Sequence, residues 1–407
     1  MKRLRKFVER IVEAIFTLSG GITTLAILLI IIFLFKEGLG LFNNPAVEKG
    51  YALCVNSTNP IKAGHPLSPQ QIKQIFDSEI TNWEEVGGRD EEIMIFRFDE
   101  IFNLYSDEEL GENYEFLPQK LDDVIAQNPN IIAFIPEKYI PSGELNSQVV
   151  TLHTPLIKPS DFFGGKEWLP TATPAPLYGA LPLVLGTLWV SLFAILIALP
   201  LGLGVAIYLS ELAGENTRKI LKPTIELLAG IPSVVYGFFG LVVLVPLIQK
   251  TLHLPVGETA FAGSLILSIM ALPTIITVAE DAMRNTPRTM REASLALGAT
   301  PWQTIYKVIL PYSASGIIAA VVLGVGRAIG ETMAVLMVTG NAAVMPHSLF
   351  EPVRTIPATI AAELGEAPAG GVHYQSLFLL GVILFAMTMI INLSVEFISK
   401  RQIGKGM

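Results

Sequence analysis

The sequence predicts an α-helical integral membrane protein with six membrane-spanning helices and a small α+β insert after the first of them. Three observations carry that expectation. The chain has 407 residues, is 51% hydrophobic and has a mean hydropathy of +0.53, too apolar for a soluble domain. Several charge-free apolar runs approach the about twenty residues needed to cross a bilayer as a helix. Charge is also segregated: Asn43 to Leu177 holds 21 acidic and 9 basic residues, while the rest is net basic within a total of −8.

Met1 to Arg10 (MKRLRKFVER) carries five basic residues ahead of an apolar run ending near Phe35. Phe33, Phe35 and Lys36 stand where a signal peptide would have small residues, so the run reads as an uncleaved first span. Residues 1–42 therefore form a basic tail and a span, and residues 43–159 form the insert. Within the insert, Leu67 to Gly88 reads as a helix with Ser68 as N-cap, Pro69 at the first position and Gln71 completing a capping box.

Residues 160–407 form a five-helix core. Trp168 to Ser210 contains no Asp, Glu, Lys or Arg. Pro170, Pro174, Pro176 and Pro182 make its start extended, and a span follows over Leu183–Leu209. Further spans are expected over Leu227–Gln249, Thr259–Ala279, Tyr312–Thr339 and Tyr374–Val395. Pro200, Pro246 and Pro273 are read as kinks in the second, third and fourth spans, and Glu280 and Asp281 as a solvated terminus. With the N-terminus inside, the inner segments hold 15 of the 28 basic residues, and the two short outer loops hold only Lys250 and Arg354. The positive-inside rule then puts both termini in the cytoplasm and the insert outside.

The stretch Arg288 to Pro311 (RTMREASLALGATPWQTIYKVILP) is polar yet lies between apolar runs, so it is a loop at a membrane face. Arg288 to Leu297 reads as a helix and Gly298 as its left-handed cap. Thr300, Pro301 and Gln303 supply the cap, first-turn proline and capping-box partner of a second helix, which Pro311 closes. Glu292, Ala293, Ser294, Gly298, Val308, Leu310 and Pro311 keep the spacing of the coupling motif of ABC importer permeases, with Ser and Val as mild departures. That resemblance implies that residues 281–311 are the coupling loop, whose first helix docks into a groove of a cytoplasmic ATPase. Glu292, Ala293, Ser294, Gly298, Leu310 and Pro311 are the coupling residues it assigns.

Ala229 to Gly240 (AGIPSVVYGFFG) and Gly324 to Val335 (GVGRAIGETMAV) resemble the permeases of the phosphate-specific ABC importer. Lys166 to Pro170 and Tyr178 to Pro182 are similar to its PstC-type subunit, and the likeness is continuous from about Ser160 to Val395. It implies the ABC importer permease fold in a bacterial plasma (inner) membrane, in contact with lipid. It also implies a second homologous permease, a cytoplasmic ABC ATPase dimer, an extracytoplasmic phosphate-binding protein, and inorganic phosphate as cargo. Leu67 to Gly88 and Lys120 to Tyr139 resemble parts of the phosphate-binding proteins themselves. The insert departs from them where an anion would be gripped: Arg97 is followed by Asp99 and Glu100, with no Ser-Gly-Thr turn. Two carboxylates repel an oxyanion, so the insert reads as degenerate.

Arg327 and Glu331 are the only Asp, Glu, Lys or Arg residues between Lys307 and Glu351. Their i, i+4 spacing places both on one face of the fifth span. Ionisable groups at membrane depth are costly and mark function. The reading is that Arg327 offers a cation along an anion's path, with Glu331 holding its side chain; a permanent structural ion pair is the alternative. Ser233 and Tyr236, beside the helix breaker Pro232, complete the substrate path as uncharged donors. Gly324, Gly326 and Gly330 are read as allowing close helix approach.

The same sequence excludes much. No Walker A pattern occurs, so ATP hydrolysis belongs to a partner chain. Neither HExxH nor GxSxG is present, and His65, His153, His253, His347 and His373 are scattered. No catalytic residue, cofactor or metal is expected. One cysteine, Cys54, forbids an internal disulfide, and the lack of a basic stripe argues against nucleic acid. The rival readings are a permease for molybdate, tungstate or sulfate, and a membrane phosphate sensor without transport.

Overall fold

The structure is a computed structural model that describes residues 2–59, 61, 67–140 and 149–403. His65 and Lys405 lie outside the described residues. The chain divides into two compact units, Leu39–Ala180 and Met1–Gly38 with Leu181–Met407.

The Leu39–Ala180 unit is built on a four-stranded sheet. Its strands are β1 (Tyr51–Asn56), β2 (Met94–Arg97), β3 (Ile131–Pro136) and β4 (Val149–Thr151), in the order β2-β3-β1-β4. β2 and β3 run parallel, and β1 is antiparallel to both β3 and β4. Side chains alternate across a strand, so Leu53, Val55, Ile132 and Phe134 enter one core while Cys54, Ile131, Ala133 and Ile135 enter the other. A helix covers each face. Pro69–Phe76 buries Ile72, Ile75 and Phe76 on the first, and Leu117–Gln127 buries Leu117, Leu121 and Ile125 on the second. Two covered faces explain the uninterrupted apolar run of β3. The Ser68–Gln71 capping box forms as expected.

This unit continues past residue 159. Phe162 and Trp168 are fully buried, Phe162 meets Trp168 and Trp168 meets Tyr178 edge-on, and β5 (Trp168–Leu169) pairs with β6 (Leu177–Tyr178). The proline-rich lead-in is therefore part of the unit's core rather than a strap before the next span.

The other unit is helical. Among the described residues five helices are long and apolar enough to cross a membrane, or six if a bent pair counts as one span. The first span, within Lys2–Leu39, packs its second half on the last, Val372–Ile403, through an edge-on contact of Phe33 with Phe378. The second span (Leu181–Ile207) runs through Pro200 into a π-turn over Tyr208–Leu212. The fourth (Ala260–Arg284) is the most buried and runs through Pro273. A Cβ on Gly202 of the second span would come within 2.8 Å of Ile275 on the fourth, so the missing side chain sets their approach. The third span (Ser233–Phe239, a π-turn, then Val245–Leu252) starts after a break at Gly230–Pro232, not at Leu227.

The fifth span departs most from expectation. Helix Ala314–Gly330 stops at Glu331, whose ψ of 132° is extended, and a separate helix, Met333–Val338, follows. At its start the chain bends by 70° from Pro301–Tyr312. A continuous helix over Tyr312–Thr339 is thus replaced by a bent and broken one.

Trp83 anchors the first core of the sheet unit, fully buried with its indole N–H donating to the Asn130 carbonyl at 3.1 Å. Cys54 reports on that unit, because burial pushes its thiol up to about 11 and removes it from solvent. The native protein is expected to resist maleimide labelling, whereas Trp83→Ala, costing about 3–5 kcal/mol, speeds labelling at the same denaturant concentration. Equal labelling rates in wild type and variant contradict this packing.

Candidate translocation path and coupling site

Arg327 lies half-buried in the last turn of helix Ala314–Gly330, and its Nη1 donates to Thr274 Oγ1 on the fourth span at 3.2 Å. Among the described residues no carboxylate pairs with it. The other half-buried arginines of this unit all have one: Arg218 meets Glu280, Arg291 meets Glu211 and Arg354 meets Glu363.

Glu331 corrects the expected Arg327–Glu331 pair. The i, i+4 relation requires a helix through both residues, and the helix has already ended. Glu331 Oε1 instead accepts from the backbone N–H groups of Thr332 at 3.1 Å and Ala334 at 3.4 Å. Thr332 Oγ1 donates back to the Gly330 carbonyl at 3.3 Å. A helix break at membrane depth exposes backbone donors and acceptors that lipid cannot satisfy, and these two side chains satisfy them.

The break at Gly230–Pro232 is closed similarly. Tyr236 is buried and its hydroxyl donates to the Leu228 carbonyl at 2.9 Å, bridging the end of helix Glu215–Ala229 and the third span. Ser233 is half-buried at the start of the third span. The glycines divide. A Cβ at Gly324 would press on Ile275 at 2.8 Å, as close helix approach requires, whereas Gly326 and Gly330 have open space around them.

A family model described as "Binding-protein-dependent transport system inner membrane component" matches residues 198–404. The chain belongs to that family. It is 43% identical over 246 residues to a probable ABC transporter permease protein, YqgH, of Bacillus subtilis, covering 60% of this chain and 79% of the relative. It is 39% identical over 249 residues to the phosphate transport system permease protein PstC of Pasteurella multocida, covering 56% and 76%. The corresponding PstC of Mesorhizobium japonicum is 41% identical over 249 residues, covering 56% and 75%.

The stretch Arg288 to Pro311 has the local structure its residues dictate. Helix Arg288–Ala296 is followed by Gly298 at φ 85°, and Thr300 and Gln303 close a capping box over Pro301–Thr304. Glu292 and Ala293 are exposed, as are Leu295 and Leu297, and Ser294 bonds Thr304 through their hydroxyls at 2.9 Å. Leu310 and Pro311 lie in the turn Leu310–Tyr312, ahead of the bend.

Besides the Arg354–Glu363 pair, two charge clusters have no local signature in the sequence. Glu280 is almost fully buried, not solvated, and is gripped by Arg218 and by Lys222 at 2.6 Å; Lys222 also reaches Asp281 at 2.9 Å. Burial opposes the Lys222 charge, but the bonds to Glu280 and Asp281 outweigh it and raise the ammonium above its ordinary value. The second cluster is Glu211 with Arg291 at 3.0 Å. Their partners lie 62, 58 and 80 residues apart, so no local pattern signals them.

If Glu331 acts as a cap, Glu331→Ala is expected to cost about 1 kcal/mol of stability, while Glu331→Gln, whose amide oxygen still accepts, retains most of it. Thermal unfolding in detergent separates the two; an equal loss in both variants contradicts the capping role.

Proposed function

We propose that this chain is the transmembrane permease subunit of an ATP-driven inorganic phosphate importer. The observation that carries the reading is the half-buried Arg327, whose guanidinium bonds the Thr274 hydroxyl and, among the described residues, no carboxylate, while the other half-buried arginines of the helical unit meet carboxylates. A cation held at membrane depth without a counter-ion is suited to a passing oxyanion. Thr274 orients it, and Tyr236 and Ser233 are assigned to the same path as uncharged donors. Glu331 serves the path indirectly, by stabilising the broken backbone beside it. The phosphate transport permeases among the relatives support phosphate over sulfate, molybdate or tungstate as cargo.

In this reading the chain supplies half of a path completed by a second homologous permease, with alternating access driven by an ATPase dimer. The exposed face of Arg288–Ala296, with Glu292 and Ala293, docks the ATPase. Ser294 and Gly298 fix the helix against its neighbour, and Leu310 and Pro311 pass its motion to the bend of the fifth span. A phosphate-binding protein delivers cargo from outside, where the acidic insert also lies, with both termini in the cytoplasm. The insert holds no phosphate of its own: Arg97 donates to the Phe76 carbonyl at 2.8 Å and stacks on the Phe76 ring, so its charge is committed to the fold.

Arg327→Gln keeps the Thr274 contact within reach but removes the charge. Phosphate uptake by the assembled complex is expected to fall roughly thirtyfold or more, the equivalent of losing about 2 kcal/mol of charge-assisted binding. Uptake at the wild-type rate in a complex that still binds its ATPase contradicts the role.

A further inference from the structure

We infer that Arg291 is a positioning residue that clamps the ATPase-docking helix to the ends of the second and fourth spans. The inference rests on the coupling role proposed for Arg288–Ala296 and adds the connection by which that helix moves the path.

The clamp is built from one guanidinium and two elements. Arg291 Nη1 pairs with Glu211 Oε2 at 3.0 Å, and Nη2 donates to the Met283 carbonyl at 2.9 Å. Glu211 sits in the π-turn that ends the second span, with its side chain only 9% exposed. Met283 is fully buried in the last turn of the fourth span. Arg291 immediately precedes Glu292 in sequence, yet the two face different surroundings: Glu292 is exposed, whereas Arg291 turns into the protein. The docking helix therefore offers one face outward and is bonded to the spans through the other.

The bond type matters. A planar guanidinium can satisfy a carboxylate and a carbonyl together at fixed angles, which an ammonium on a flexible stem does not reproduce. A desolvated pair also resists stretching, because separating it leaves Glu211 charged without a partner. Movement of the docking helix is thus expected to carry both span ends with it. The fourth span extends the link: Met283 and Thr274 lie nine residues apart on one helix, about 13 Å along its axis. Thr274 is the residue that holds Arg327. One rigid element joins the clamp to the cation of the path.

The test uses the full complex of this chain, its partner permease and the ATPase, reconstituted in vesicles with phosphate-loaded binding protein. Phosphate transported per ATP hydrolysed and co-purification of the ATPase are measured for Arg291→Gln, Glu211→Gln, the reversed pair Arg291→Glu/Glu211→Arg, and Glu292→Arg. The expectation is that Arg291→Gln and Glu211→Gln retain the ATPase while phosphate per ATP falls about tenfold, in keeping with loss of one partner of a desolvated pair. The reversed pair restores the ion pair but not the Met283 bond, so it is expected to recover part of that ratio, which a merely structural defect would not permit. A wild-type ratio in Arg291→Gln overturns the inference. Should Arg291→Gln fail to assemble, Glu211→Gln, which leaves the Met283 bond in place, decides: a lowered ratio in an assembled complex supports the clamp, and a wild-type ratio overturns it. Failure of the underlying reading looks different, because Glu292→Arg would then leave ATPase association intact.

Discussion

A protein interior or a bilayer gives a buried charge or a broken backbone little water to fall back on, and the permease unit is organised by how each such group is satisfied. Arg218 and Lys222 meet Glu280, Arg291 meets Glu211, and Arg354 meets Glu363. Where the third span starts late, Tyr236 ties its first turn to Leu228. Where the fifth span breaks, Glu331 and Thr332 cover the open amides and carbonyl. Within that economy Arg327 is the exception, held by a hydroxyl rather than neutralised. The proposed transport role follows from this contrast and not from the mere presence of an arginine.

The same pairs join elements that are remote in sequence. Glu280 binds the end of the fourth span to helix Glu215–Ala229, and Glu211 binds the end of the second span to the coupling stretch. Glycines at the crossings, Gly202 and Gly324 against Ile275, keep the second, fourth and fifth spans close enough to move together. The third and fifth spans, by contrast, are interrupted at Gly230–Pro232 and Glu331–Thr332.

What could be read from the sequence was local. The Ser68 and Thr300 capping boxes and the left-handed Gly298 depend on neighbours within a few residues, and each forms as its residue types require. The apolar spans were legible from length and composition. Two kinds of feature were not. Ion pairs separated by 58 to 80 residues have no periodic signature, so Glu280 read as solvated and Glu211 drew no notice. The Arg327–Glu331 pairing failed because it assumed a helix; Gly330 ahead of two residues able to cap a helix was the signal of a stop. In the sheet unit, the aromatic contacts of Phe162, Trp168 and Tyr178 folded a proline-rich stretch into the core despite its extended local preferences.

In the proposed transport cycle, Arg327, without a carboxylate partner among the described residues, serves phosphate moving inward at the expense of ATP. The most direct measurement is accumulation of radiolabelled phosphate by vesicles containing this chain, its partner permease and the ATPase, with binding protein on the delivery side. Accumulation above the external concentration is expected, dependent on ATP and binding protein, and unaffected by excess sulfate or molybdate. Phosphate that binds without accumulating, or accumulation of sulfate or molybdate in its place, would contradict it.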